Sequence, residues 1–243
     1  KVFSRILGVK PSAPTTWSST TTVIVGEPLI LYWTHNAEDS SSQESAILEL
    51  TIDGVTTTTT IVNDRPEEDK DKTSTYEIDT SAYREGVQIK WRVQTKGIVP
   101  DYSDWSVLRT VDVYAKPSMD LAVTDNDGVG IDMLTAFPIN IKAVTYPKTQ
   151  KPVGYHLTVI ANESYETVDS IGNVKMVNAG DQVYAKYFDI STQLIVELSA
   201  SNIDIENDRN YTITCTVSMD SGLTAESTAQ FNVQWTEVEY EPN

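Results

Sequence analysis

The chain has 243 residues, 40% of them hydrophobic, with 35 acidic against 18 basic side chains and a formal charge of −17. That length can bury a real core in one or two domains, and that charge offers no attraction to phosphate backbones or anionic lipid, which argues against nucleic acid or a membrane as partner. The single cysteine, Cys215, excludes an intrachain disulfide and any multi-cysteine metal site, so packing alone must hold the fold.

The opening Lys1-Val2-Phe3 and the closing EVEYEPN read as the boundaries of a piece cut from a longer protein. The sequence has no basic, apolar and small-residue leader and no run of about 20 apolar residues long enough to span a bilayer. Secretion of the parent protein stays open.

Alternation of period two dominates, as half-buried strands require. In PLILYWTH, Leu29, Leu31 and Trp33 share one face. Leu48, Leu50 and Ile52 do so in AILELTID, with Glu49 and Thr51 turned outward, and Val87, Ile89, Trp91 and Val93 do so in GVQIKWRV. Between them VTTTTTIV reads as a strand, because β-branched threonine suits a pleated surface. The charged, proline-containing NDRPEEDKDKTS at 63–74 reads as a solvated loop. Turn signals lie at Asp53-Gly54, at DNDG 125–128, at KTQKP 148–152 and at DSG 220–222. Helical spacing is sustained nowhere, and no βαβ unit is present to build a parallel sheet.

A proline in VYAKPSMDLAV marks a joint near residue 115, which divides the chain into modules 1–115 and 116–243. The second module repeats the plan of the first. Its strands run through Phe137, Ile139 and Ile141, through Tyr155, Leu157 and Val159, through Tyr211, Ile213, Cys215 and Val217, and through Phe231, Val233 and Trp235. The expected fold is all-β, two tandem antiparallel sandwiches.

Residues with chemical potential are sparse. His35 ends a strand and His156 points outward on its own, and neither lies in a nucleophile-elbow or metal-binding spacing. Asp125, Asp127 and Asp132 in DNDGVGID fall short of a calcium loop, which needs six or more oxygens and a closing glutamate, so the stretch reads as a polar turn. No acid pair is singled out for glycoside hydrolysis. Cys215 alternates inward as a small apolar group. The sequons at Asn162 and Asn210 matter only in a eukaryotic secretory protein. No catalytic residue, metal ligand or cofactor is assigned.

On these residues the chain resembles the fibronectin type III family. Trp33 matches that family's buried tryptophan, and YREGVQIKWRVQTKG followed by YSDWS resembles its last two strands. In the second module NYTITCTVSMDSGLTAESTAQFNVQW fills the same role, with Tyr211 at the place of the corner tyrosine. That module lacks a tryptophan on its second strand and is long between 162 and 192, so a general immunoglobulin-like sandwich is its label. More narrowly, the segment from Pro11 to Gly54 and the closing SGLTAESTAQFNVQW resemble tail and host-interaction proteins of phages and prophages of Gram-positive bacteria.

The YSDWS box at 102–106 poses the main question, binding site or seam. Alternation turns Arg92 to the solvent face, and the resemblance implies a structural cation–π pair with Trp105. Yet Trp105 shares its parity with Val111 and Val113, which face inward. Either a bulge near Ser106 resets the register or the stack is wrong.

What these readings imply is a non-enzymatic spacer and host-adhesion scaffold from a phage or prophage tail, located in the virion. Its partners would be neighbouring modules of the same protein and cell-surface polysaccharide. The alternative is an accessory carbohydrate-binding or adhesin region of a bacterial surface protein or secreted glycosidase. Fold alone decides neither.

Overall fold

The structure, a computed structural model, describes residues 8–62, 74–169 and 171–235. The chain divides into two compact units, Lys1–Ala115 and Lys116–Asn243. All regular elements among the described residues are strands. The charged loop expected at 63–74 lies outside the described residues, apart from Ser74, which opens a strand.

The first unit contains β1 (Thr16–Ser18), β2 (Thr22–Ile24), β3 (Pro28–Trp33), β4 (Ser45–Ile52), β5 (Val55–Val62), β6 (Ser74–Asp79), β7 (Gln88–Lys96) and β8 (Arg109–Tyr114). They form a three-stranded sheet in the order β1-β3-β6 and a five-stranded sheet in the order β2-β8-β7-β4-β5. Every pairing is antiparallel except that of β2 with β8. Because successive side chains alternate, each sheet turns one apolar face inward. Leu29, Leu31, Trp33 and Ile78 from the small sheet meet Leu48, Ile89, Trp91, Val93, Val111 and Val113 from the large one in a single core. The β4–β5 hairpin closes on Asp53 and Gly54, both at positive φ (51° and 78°), the two-residue turn whose twist matches that of its strands.

The second unit contains β9 (Ser118–Thr124), β10 (Met133–Leu134), β11 (Ile139–Tyr146), β12 (Pro152–Ala161), β13 (Tyr165–Val168), β14 (Val174–Val177), β15 (Gln182–Phe188), β16 (Leu194–Leu198), β17 (Asn210–Met219) and β18 (Thr224–Val233). Its sheets run β16-β11-β9 and β10-β18-β17-β12-β15, which match those of the first unit strand for strand once the small sheet is read from β9. Ile139, Ile141 and Leu198 pack against Tyr155, Leu157, Tyr211, Ile213, Cys215 and Phe231 across the sandwich. The extra length seen in the sequence between 162 and 192 is a separate β13–β14 hairpin inserted ahead of β15, which leaves the sandwich order untouched. The fold is therefore two tandem fibronectin type III/Ig-like antiparallel β-sandwiches, the second built on the strand order of the first.

Candidate functional site

The YSDWS box lies between β7 and β8 as irregular backbone, and serine hydroxyls explain why. The backbone N–H of Ser103 donates to Thr95 O at 2.8 Å and that of Ser106 to Val93 O at 2.8 Å. In return Thr95 N–H donates to Ser103 Oγ and Val93 N–H to Ser106 Oγ, each at 3.0 Å. The two hydroxyls thus stand where a regular strand would offer backbone carbonyls. Three residues of the box span two of β7, so one residue is extra, as in a bulge.

A second slip of one residue, between Ser106 opposite Val93 and Arg109 opposite Trp91, settles the parity conflict. Val111 and Val113 face inward with no exposed surface. Between Trp91, which pairs with Arg109, and the box the register has slipped, and Trp105 turns outward. There the Arg92 guanidinium carbon sits 4.6 Å from the Trp105 ring centroid. Arg92 also grips Glu49, its cross-strand partner on β4, with Nε to Oε1 at 2.7 Å and Nη2 to Oε2 at 3.0 Å. Those hydrogen bonds hold the Arg92 proton more tightly than usual, against a desolvation that opposes it. Trp105, Arg92 and Glu49 form a ladder across three neighbouring segments on the outer face of the five-stranded sheet. Lys10 Nζ to Asp104 Oδ1 at 2.8 Å and Tyr102 Oη to Ser45 Oγ at 3.0 Å fasten the rest of the box.

Chemically, this arrangement clamps the box onto its strand. One face of Trp105 is occupied by a guanidinium, and the planar cation that holds it is itself fixed by two hydrogen bonds. Two further tryptophans, Trp33 and Trp91, are fully buried. Trp235 lies past the end of β18 and packs on Phe137 at 5.1 Å.

His35 follows β3 and its Nδ1 lies 2.9 Å from Thr95 Oγ1. His156 points outward on β12 and stacks on Tyr187 at 5.9 Å. Asp125 spends Oδ1 on the backbone N–H groups of Asp127 and Val129, both at 2.9 Å, which is the work of a turn former. Among the described residues no cluster of three or more His, Cys, Asp or Glu side chains is placed to hold a metal ion, and no helix is long and apolar enough to cross a membrane. Cys215 is fully buried, and burial pushes its thiol up to about 12.

Two features went unread in the sequence. Trp17 on β1 is 40% exposed and stacks on its cross-strand partner Tyr32 with centroids 5.6 Å apart. Pairing β1 with β3 had to be known first. The other is Tyr165: Tyr211, expected at the corner, accepts the Glu206 N–H at 2.8 Å as a corner tyrosine does, and it also donates to Tyr165 Oη at 2.9 Å. Tyr165 belongs to the inserted hairpin, which the alternation pattern did not reveal.

No protein-family model matches the chain, and no curated protein matches it. Among solved structures it is similar to the FN1-FN3 domains of chicken CNTN1, at 12% identity and a TM-score of 0.42, over 93% of this chain and 68% of that one. It is also similar to a 1.5-MDa bacterial ice-binding adhesin studied for host cell surface retention, at 13% identity and TM-score 0.34, over 93% and 66%. A third is the Yersinia pseudotuberculosis adhesin InvE, at 12% identity and TM-score 0.29, over 90% and 59%.

Proposed function

We propose that this chain is a non-enzymatic spacer and adhesion scaffold, two sandwich modules in series that hold neighbouring parts of a longer protein apart and in register. The observation that carries this reading is the box: its serines and its tryptophan are consumed in fastening it to β7, with Arg92 on the Trp105 ring. A module whose most conspicuous aromatic motif is spent on rigidity suits the transmission of position and load. Loops at the poles of such a module vary at little cost in stability, and binding to cell-surface polysaccharide belongs there. The setting we favour is the tail of a phage or prophage of a Gram-positive host, in the virion, with other modules of the same protein as partners. Support for that setting is the likeness of the Pro11–Gly54 segment and of SGLTAESTAQFNVQW to segments of such proteins.

The test pairs binding with stability. Trp105→Ala is expected to lower the melting temperature and leave any binding to Gram-positive cell walls or arrayed glycans unchanged. Saturable binding that vanishes in Trp105→Ala, with an unchanged melting temperature, would overturn the scaffold reading.

One observation favours the second reading, an accessory carbohydrate-binding region. Trp17 presents 40% of its surface on the outer face of the small sheet beside Tyr32, and exposed aromatic rings are sugar-stacking groups. Glycan binding abolished by Trp17→Ala and kept by Trp105→Ala would establish it.

A further inference from the structure

An edge strand offers a row of unpaired N–H and C=O groups, and proteins blunt such edges by making them short or by charging them. Nearly every described sheet edge here obeys that rule. β1 and β2 have three residues each and β10 has two. β6 carries Glu77 and Asp79, β9 carries Asp120, β13 Glu166, β14 Lys175, β15 Lys186 and β16 Glu197. The exception is β5, Val-Thr-Thr-Thr-Thr-Thr-Ile-Val, eight residues with no charge, no proline and no glycine. All eight pair with β4 without a register break, and all but Ile61 are exposed. β15 takes the same place in the second unit, yet there the register with β12 shifts between Val159 and Ile160.

We propose that β5 is a self-association edge, on which a second copy of this chain pairs its own β5 antiparallel so that one sheet runs continuously through both copies. Symmetry allows it. A two-fold axis normal to the sheet and centred on Thr58 sets Thr58 against its counterpart, Thr57 against Thr59 and Thr56 against Thr60. Threonine therefore faces threonine at all five central positions, and cross-strand threonine pairs are favourable. The same pairing already occurs within the unit, where Thr51 Oγ1 lies 2.9 Å from Thr56 Oγ1. Such a contact is isologous and closes at two copies, with no growth into a filament.

Charge selects the occupant. The chain carries −17, so a second copy is repelled over most of its surface. β5 is a neutral stripe within that field. The only charge on β4 beside it is Glu49, which Arg92 neutralises through two hydrogen bonds. The Trp105–Arg92–Glu49 ladder therefore leaves the edge without a net charge to meet its own image.

Sedimentation of the chain over a range of concentrations, at about 0.15 M and 1 M salt, tests this. A monomer–dimer equilibrium is expected, tighter at high salt because the Debye length falls from about 8 Å to 3 Å and screens the repulsion. Thr58→Lys sets two ammonium groups face to face and is expected to weaken the dimer about fivefold or more. Within one copy that lysine stands opposite Glu49, so the melting temperature is expected to hold. Thr58→Val, which keeps the strand and adds no charge, should retain the dimer. Amide exchange in the wild-type chain supplies a readout free of any variant, with protection at 55–62 rising with concentration. A chain that stays monomeric at every concentration and salt overturns the proposal. So does a dimer untouched by Thr58→Lys, or one that forms without new protection in β5.

Discussion

The two modules share one strand order and are held by opposite means. The first is pinned from outside, by serine hydroxyls that zip the box to β7 and by the Trp105–Arg92–Glu49 ladder on the solvent face. The second is pinned from inside, by Tyr211 and Tyr165 joined through their hydroxyls at 2.9 Å, with the Arg209 guanidinium carbon 5.3 Å from the Tyr165 centroid. Thr167 on the inserted hairpin also donates to Glu206. A fold of this kind fixes where strands go, and leaves to each sequence the choice of which polar groups lock the corners.

The largest difference should appear at alkaline pH. Burial raises Cys215, from 9.0 to about 12, and also raises Tyr155, Tyr165, Tyr184 and Tyr211 above the usual tyrosine value, all in the second module. In each case the folded state keeps a proton that the unfolded chain has lost. Stability that these groups contribute is intact below pH about 9 and falls as pH climbs toward 12. The second module should therefore unfold first in base, with Cys215 labelled by a thiol reagent only as it opens. Thiolate reactivity near pH 9 in a still-folded module would contradict this.

The next largest effect is Trp91→Ala, which empties a fully buried site in the first core and should cost about 3–5 kcal/mol. Amide exchange should accelerate through β7 and leave β17 unchanged. Equal acceleration in both would show that the modules do not fold as separate units.

Much of the fold is legible in the sequence. Period-two alternation found the inward faces of β3, β4, β7, β12 and β17, because the buried side of a strand repeats every second residue. The Arg92–Trp105 pair was also named from the chain, though its geometry was in conflict with the parity of Val111. That conflict could not be resolved from the pattern, since a bulge depends on which hydroxyl replaces which carbonyl and not on hydrophobicity. The hairpin β13–β14 was hidden for a related reason. Its outer face exposes Val168, Val174 and Met176, so apolar residues there mark the side away from the core.

A third and smaller effect is Tyr211→Phe. The ring keeps its packing, while the Glu206 N–H and the Tyr165 hydroxyl lose their partner. One part-buried and one buried polar group left unpaired should cost about 2–3 kcal/mol, read as a lower melting temperature of the second module alone. No change would mean that water replaces the hydroxyl and that the corner is not what holds this module.

The smallest effect is also the sharpest test of how the first module is pinned. Ser106→Ala removes the acceptor of the Val93 N–H while sparing the Ser106 N–H bond to Val93 O. Only the hydroxyl's half of the link is lost, so the cost should be about 1 kcal/mol, near that of one hydrogen bond. The matching change in the second module is Ser227→Ala, at a residue that pairs with Cys215 through its backbone in an unbroken β17–β18 ladder. There the hydroxyl does not stand in for a carbonyl, and the melting temperature should not move. A loss at Ser106 with none at Ser227 assigns the stability to the hydroxyl zipper. Equal small losses at both would reduce the box to an ordinary strand edge, and the Arg92 stack would then be the whole of the external pin.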